Sequence, residues 1–481
     1  MTKQSGLPAA VAVSIALCGA TSVCAETLAD AIALAYQTNP TLQGQRATLR
    51  SLDENVVQAQ AGYRPQLGAQ ASITTDSNNL GALNPLNTTP GQTQTSQAGL
   101  TITQPIYTGG LVSSQVNAAE ATVYAGREVL RQVEEQVLQN VITAYTGVRR
   151  DEEGLEIARE NARLLDQELA ETRARFEVGE ITRTDVAQTE ASVAGAQAQL
   201  STAEGQLAIS RATYAQVVGQ NPGTLAPEPS LARLLPATID EAFDAAESKN
   251  PQILEARYNE RASSARIEEA KAAARPTVEL RGAATYAGGN VGTGTPFANY
   301  SHDVSATVVA QMPLFTGGLN ASKIRQAAEN NNVDRIAIET TRRTVLQAVA
   351  QAWNELLAAR ANVAADQEQV RAGNIAFEGM REEEAVGLRT VLDVLITEQN
   401  LANAQFSLVN ARYDEYAAAT ALLVGMGDLY ASDLATVPIY DPARNYHKVT
   451  HGVGFPLDAP IAAIDQIGAP EPKLTPPPPP R

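Results

Sequence analysis

The segment Gln104–Leu111, QPIYTGGL, returns as Met312–Leu319, MPLFTGGL. A chain that repeats itself at such long range must build one structural unit twice and then pack the two units together. The match extends beyond this motif. NPTLQGQRATLR, from Asn39, aligns with NPQILEARYNER, from Asn250. AGYRPQLGAQASI (61–73) aligns with AAARPTVELRGAA (272–284), and both matches share an offset of about 211. The Thr-Gly-Gly-Leu pair, Tyr145 against Trp353, and VGEITRTDV (178–186) against VGLRTVLDV (386–394) share an offset of about 208. The slip between the two registers falls between Pro65 and Pro105, in a stretch that reads as loop. Convergent Ala-rich sequence does not account for Pro65 with Pro276, or for Gly179 with Gly387.

Each unit opens with a helix. Asn39-Pro40 and Asn250-Pro251 place a capping Asn before a Pro in the first turn. The helices stop at Arg64-Pro65 and Arg275-Pro276, because proline cannot continue them. The period then changes to two. Leu67, Ala69, Ala71 and Ile73 alternate with polar or small residues. After a loop rich in Asn, Gly, Thr and Pro (76–94), the alternation returns through Ala98, Leu100, Ile102, Gln104 and Ile106. The second unit repeats this with Val278, Leu280, Gly282, Ala284 and Tyr286, then Val304, Ala306, Val308, Ala310, Met312 and Leu314. Strands of about ten residues suit a tilted crossing of a membrane. Four strands cannot close a barrel, and an open sheet edge cannot face lipid, so a membrane-crossing version must oligomerise.

YTGGL and FTGGL sit where the period changes back to about 3.6. Gly109-Gly110 and Gly317-Gly318 let the chain swing from a strand into a helix axis. Tyr107 and Phe315 stand where an aromatic belt lines a membrane interface. Pro-free runs of about 115 and about 125 residues follow, each broken once, at Val178-Gly179 and Val386-Gly387. The returning arms carry heptads. Val186, Val193, Leu200, Leu207 and Tyr214 form one row, with Thr189, Ala196, Ala203, Ser210 and Val217 beside it. In the second unit the rows are Val394, Leu401, Leu408, Glu415 and Leu422, and Thr397, Ala404, Ala411, Ala418 and Gly425. Large residues on one row and small ones on the other predict a close antiparallel coiled coil, which Glu415 interrupts.

The expected boundaries follow. Residues 1–25 read as a signal peptide. The first unit is 26–220, with its strand hairpin at about 66–107 and its tip at about 178–186. A linker covers 221–238. The second unit is 239–430, with its strand hairpin at about 277–315 and its tip at about 386–394. A C-terminal extension, 431–481, ends in a disordered Pro-rich tail, APEPKLTPPPPPR.

With 481 residues the chain is too long for one ordinary core. Hydrophobic residues make up 44 % but aromatics only 5 %, which favours long helices over a thick globular core. The net charge of −17 argues against a nucleic-acid partner. In the signal peptide, Lys3 precedes an apolar stretch (7–20), and Val23 and Ala25 suit a cut before Glu26. Cleavage removes Cys18 and Cys24, and with them any disulfide or thiol chemistry. Leu17 and Val23 precede these cysteines where a lipid-anchor site needs a small residue, so no lipid anchor is expected. No other segment has the eighteen or so apolar residues of a transmembrane helix. An exported chain without one is either soluble or an outer-membrane β-barrel.

On these features the sequence resembles the TolC family of outer-membrane channel-tunnels, over about residues 26 to 430. The resemblance rests on the duplicated strand-hairpin and helical-hairpin plan, on YTGGL and FTGGL, and on the two VGxxTxxDV turns. It implies an α+β membrane protein. Three chains give four strands each to one twelve-stranded outer-membrane β-barrel, which a long α-helical barrel of coiled coils continues across the periplasm. The implied partners are two further copies, a periplasmic adaptor (membrane fusion protein), an inner-membrane transporter, ABC or proton-driven, and outer-membrane lipid. No cofactor is implied. By the same resemblance, Val178, Gly179, Thr182, Val386, Gly387 and Thr390 dock the adaptor. Asp185, Arg389, Asp393 and Glu384 form the periplasmic entrance gate, with an Arg389–Asp185 link as its latch. Two departures stand out: Glu384 occupies the place of an aromatic gate partner, and Ile396 that of a second acidic ring. The residues alone allow another reading of Asp185 and Asp393, as acids early in a helix that suit its dipole.

Catalytic chemistry is not expected. His302, His447 and His451 have no partners at metal or triad spacing. GGNVGTG (288–294) lacks the G-x-G-x-x-G spacing and precedes a strand, so it reads as loop rather than phosphate cradle. No enzyme and no metal site are expected. Two functional classes remain. One is a passive exit duct of a tripartite export system, for type I protein secretion, small-molecule efflux or both, with a dedicated multidrug channel as the alternative. The other is an exported coiled-coil scaffold, which needs none of the four alternating strands. YDPARNY (440–446) and the Pro-rich tail resemble versions tied to protein secretion. An acidic chain predicts cation preference if its acids line the duct.

Overall fold

The computed structural model describes residues 25–78, 91–291, 300–452 and 455–467. The expected signal peptide, except Ala25, and the Pro-rich tail lie outside them. The first unit is built from α1 (Leu28–Thr38), α2 (Pro40–Gln60), β1 (Gln66–Asn78), β2 (Gly91–Tyr107), α3 (Leu111–Glu177) and α4 (Arg183–Val218). The second is built from α5 (Ile239–Lys249), α6 (Pro251–Ala272), β3 (Thr277–Val291), β4 (Ser301–Gln311), α7 (Leu319–Ala385) and α8 (Val391–Met426). Three short helices close the described chain: α9 (Ala431–Leu434), α10 (Ala443–Gly452) and α11 (Asp458–Asp465). α3 and α7 have 67 residues each, and α4 and α8 have 36 each. A 67-residue helix is about 100 Å long. Among the described residues no helix is long and apolar enough to cross a membrane.

The Asn-Pro pairs cap α2 and α6. Asn39 accepts hydrogen bonds from the N–H groups of Thr41 and Leu42, and Asn250 from that of Gln252. Each cap also ties its helix to the end of a returning arm. Asn39 Nδ2 donates to Val217 O at 3.1 Å, and Asn250 Nδ2 to Gly425 O at 2.9 Å. A single polar side chain thus fixes both a helix start and the helix packed beside it.

β1 to β4 form one antiparallel sheet in sequence order, with β1 and β4 as its unpaired edges. Opposite residues in an antiparallel pair share a face. The register Leu67↔Ile102, Ala69↔Leu100, Leu100↔Ala284, Leu280↔Val308 and Ala284↔Val304 therefore gathers the apolar residues on one side. Gln66↔Thr103, Gln70↔Gly99, Arg281↔Thr307 and Thr285↔Asp303 place polar and small residues on the other. The apolar side is bare in the single chain: Leu67 is 74 % and Val304 79 % exposed. The strands, of 13, 17, 15 and 11 residues, outrun the apolar alternation. The ladder continues through Ser77↔Gln92 and Asn78↔Gly91, and Gly288–Val291 belong to β3. These ends had read as loop because only backbone pairing, and no apolar pattern, marks them.

The helices form a second sheet-like layer. α3 packs against α2 and α6 towards the strands, and against α4 and α8 towards the other end; α7 packs against α6, α5 and α8. The main core lies where these sets meet and includes Leu42, Ile142, Tyr145, Tyr214, Val349, Leu356 and Leu422. Tyr145 is fully buried, and its hydroxyl donates to Glu26 O (2.9 Å) and Ala226 O (2.6 Å). The coiled-coil rows lie inward as their period requires: Val193, Leu207 and Tyr214 on α4, and Val394, Leu401 and Leu422 on α8, are buried. The interrupting Glu415 accepts a hydrogen bond from Arg360 of α7 at 3.4 Å.

Candidate functional site: the hairpin tips and the strand-to-helix turns

Both tips are built by the same rule. At the first, Gly179 N–H donates to Phe176 O at 3.0 Å and Glu180 N–H to Arg175 O at 3.0 Å; at the second, Gly387 N–H donates to Glu384 O at 2.8 Å and Leu388 N–H to Glu383 O at 2.9 Å. This closure puts Gly179 at φ 80° and Gly387 at φ 81°, in the left-handed region that favours glycine. The next helix then starts on a reciprocal cap. Thr182 accepts from Asp185 N–H while the Asp185 carboxylate accepts from Thr182 N–H (2.9 Å) and Oγ1 (2.8 Å). Thr390 and Asp393 repeat this at 3.1 and 2.8 Å. Hydrogen bonds from the threonine backbone and then its hydroxyl hold both carboxyls below the usual Asp range. At the apices Val178 and Val386 are each 72 % exposed and Leu388 75 %.

The structure gives each residue proposed for the gate a partner from outside that set. Within this chain Asp185 is held by Thr182, and Arg389 Nε donates to Glu383 Oε2 at 2.8 Å, so no Arg389–Asp185 link forms. A six-residue reach inside one turn outcompetes a link between hairpins. Glu384 instead bridges them: the Arg175 guanidinium of α3 donates to its carboxylate, and Glu180 lies 3.4 Å from Arg175 on its other side. Where the family pattern has an aromatic partner, an ion pair here joins the α3–α4 hairpin to the α7–α8 hairpin. Arg175 escaped the sequence reading because its partner lies 209 residues away, and Glu383 because it stands just outside the VGLRTVLDV motif whose Arg389 it holds. Ile396 is half exposed on α8.

The strand-to-helix turns have all four glycines in the left-handed region: Gly109 (φ 72°), Gly110 (83°), Gly317 (61°) and Gly318 (87°). At Gly109 space is tight as well, since a Cβ would lie 2.9 Å from Arg275 Cβ. The first turn is clamped by a residue that the motifs did not reveal. The fully buried Asp465 of α11 accepts from Thr108 N–H (2.7 Å), Thr108 Oγ1 (2.7 Å), Gly110 N–H (3.2 Å) and Ser113 N–H (3.3 Å). It supplies the helix cap that Gly110 lacks. Residues 429–452 and 455–467 pack as a strap against α1, α2 and α3. Asn445 donates to Asp53 (2.7 Å), Tyr446 to Glu120 (3.1 Å) and Arg64 to Asp458 (3.1 Å). YDPARNY is thus part of a packing strap. Among the described residues no cluster of His, Cys, Asp and Glu is arranged to hold a metal.

Comparison with known proteins places these features in a wider group. The sequence profile described as "Outer membrane efflux protein" matches residues 31–220 and 242–428. The chain is 35 % identical over 431 residues to the outer membrane efflux protein BepC of Brucella suis, covering 88 % of this chain and 90 % of BepC. It is 25 % identical over 489 residues to the outer membrane protein TolC of Escherichia coli, covering 95 % and 96 %. Among solved structures, the outer membrane protein VceC from Vibrio cholerae superposes with a TM-score of 0.69 at 21 % identity, covering 83 % of this chain and 96 % of VceC.

Proposed function

Because the chain belongs to the outer membrane efflux protein family, we propose that three copies form the passive exit duct of a tripartite export system. The protein sits in the outer membrane and extends into the periplasm. The observation that carries the proposal is the sheet. It has one apolar side, one polar side and two free edges. A free edge in lipid leaves several kcal/mol of unpaired backbone per group exposed. Pairing β4 of one copy with β1 of the next satisfies both edges, turns the apolar side to lipid and leaves the polar side around a water-filled lumen. Three copies give twelve strands, and the equal lengths of the helical arms support a helical barrel continuing from them.

The tips Val178–Thr182 and Val386–Thr390 form the periplasmic entrance in this proposal. Their exposed Val178, Val386 and Leu388 offer the adaptor an apolar contact, and an inner-membrane transporter supplies the energy. Small-molecule efflux is the cargo reading favoured by the relationship to BepC. Conductance of the purified protein in a planar bilayer, with a heat-modifiable SDS-resistant trimer, tests the duct; a soluble monomer without conductance contradicts it. Deleting the gene tests the cargo. Hypersensitivity to dyes and detergents supports efflux, whereas loss of one or a few leaderless proteins from the medium supports type I secretion.

A further inference from the structure

Above the tips the two helical hairpins meet in a small core separate from the main one. Ala162 and Leu165 of α3, Val193 and Ala196 of α4, and Val391 and Leu395 of α8 build it. Beside this core, one turn along α8 from Leu395, lies Glu398. It is 5 % exposed, and its Oε1 has no hydrogen-bond partner. Two charged groups from other helices face it: Glu168 of α3, one turn from Leu165, and Arg381 of α7. Glu168 in turn faces Glu171 and Arg175 on its own helix, and Glu384 and Arg381 on α7. Arg381 attracts both carboxylates but hydrogen-bonds neither. A buried, unpaired carboxylate therefore stands at the joint between the α3–α4 and α7–α8 hairpins, next to a second carboxylate.

We propose that Glu398 and Glu168 form a proton-operated coupling between the hairpins: a proton held there keeps α3–α4 against α7–α8, and its loss separates the tips. The inference rests on the tips being the entrance of a duct, which separation would widen. A buried carboxylate and a half-buried one beside it cannot both ionise without repulsion, and the facing guanidiniums of Arg381 and Arg175 hydrogen-bond neither. Burial, and then the charge of Glu168, push Glu398 up to about 7, within the range a periplasmic protein meets. The sign follows. Below about 6 the proton is bound and the hairpins stay joined; above about 8 both carboxylates are charged and the joint is pushed apart. If separation returns Glu398 to water and an ordinary value, the ratio of separated to joined tips rises by up to about two orders of magnitude between pH 5 and pH 9.

The test is a spin-label distance measurement across the tips of the assembled protein. Labels at Glu177→Cys and Glu382→Cys, in chains diluted into unlabelled ones, report the separation of α3 from α7. The expected result is a shift to longer distances with a midpoint near pH 7. Glu398→Gln should hold the short distance at every pH. Glu168→Gln should move the midpoint lower, which keeps the test decisive if Glu398→Gln fails to assemble. Distances that ignore pH, or a midpoint that survives Glu398→Gln, overturn the coupling. Bilayer conductance of the same samples separates the two readings. A conducting channel with pH-invariant distances removes the coupling and keeps the duct; pH-dependent distances without conductance remove the duct and keep the coupling.

Discussion

α3 and α7 have the same length and matching sequence registers, yet one is buried and the other bare. α3 buries residues along its whole length, from Val112 to Thr172, whereas α7 buries only Asn331, Val345, Val349, Ala352, Leu356 and Ala359. At the aligned positions Ala125 and Glu128 are buried, while Val333 and Ile336 are 63 % and 67 % exposed. Glu135, buried in α3, and Glu134, whose side chain is 24 % exposed, align with Arg343 and Arg342, whose side chains are 77 % and 40 % exposed. The turns differ likewise: Asp465 caps the first, but the second has bare glycines and a Phe315 that is 90 % exposed. Topology explains the contrast. α3 is central in the chain's helical layer, and α7 lies at its edge. A duplicated sequence thus needs two solutions, one closed within the chain and one left open. In the proposed trimer, the apolar residues left open on α7 are the surface that a neighbouring copy covers.

Five perturbations break or sharpen this comparison, and they run from large to small. Ile336→Asp should abolish assembly while changing the stability of the single chain by no more than about 0.5 kcal/mol; native gels and chemical melts read the two effects separately. Tyr145→Ala should cost about 3–5 kcal/mol, because it empties a fully buried site and leaves Glu26 O and Ala226 O without their donor. Trp353→Ala, at the aligned and half-exposed position of α7, should cost less than half of that in the same denaturant series. Asp465→Ala should cost about 2–3 kcal/mol, since it strips three backbone N–H groups of a buried charged acceptor. Hydrogen exchange should speed up at 108–114 and stay unchanged at 316–322.

The fourth perturbation is pH. Burial pushes Glu134 up to about 7 and Glu135 up to about 8, above the unfolded carboxylate value. The fold therefore binds these protons more tightly than the unfolded chain does. Stability should fall as pH rises from about 4.5 to about 8 and level off beyond, by a few kcal/mol in total. Glu134→Gln with Glu135→Gln should flatten that slope, whereas substitutions at Arg342 and Arg343 should leave it in place. The smallest effect concerns the tips, where the two copies agree. Asp185→Ala and Asp393→Ala should each cost only a little stability, and equally, because each removes one side of a reciprocal cap. Unequal costs would mean that one of the acids has a partner beyond its own threonine.

The features legible in the sequence are those carried by periodicity or by short-range chemistry. The alternation from Leu67 to Ile73 and from Val304 to Val308 marked strands, because the side-chain period of two is local. Asn39 and Asn250 marked helix starts, and Asp185 and Asp393 were legible as acids early in a helix, though their reciprocal caps with Thr182 and Thr390 came only from the structure. Long-range polar pairs had no such signature. Arg175 meets Glu384 from 209 residues away, and Asp465 meets Thr108 from 357 residues away. α10 and α11, with 10 and 8 residues, are too short to show a clear apolar stripe. The Arg389–Asp185 pair shows the converse: a local partner, Glu383, satisfied the arginine first.

Native mass spectrometry of the detergent-extracted protein, with wild type beside Ile336→Asp, tests most directly whether further copies cover the open half of the chain. The account predicts a trimer for wild type and a monomer for the variant. A wild-type monomer, or a trimer that Ile336→Asp leaves intact, would contradict it.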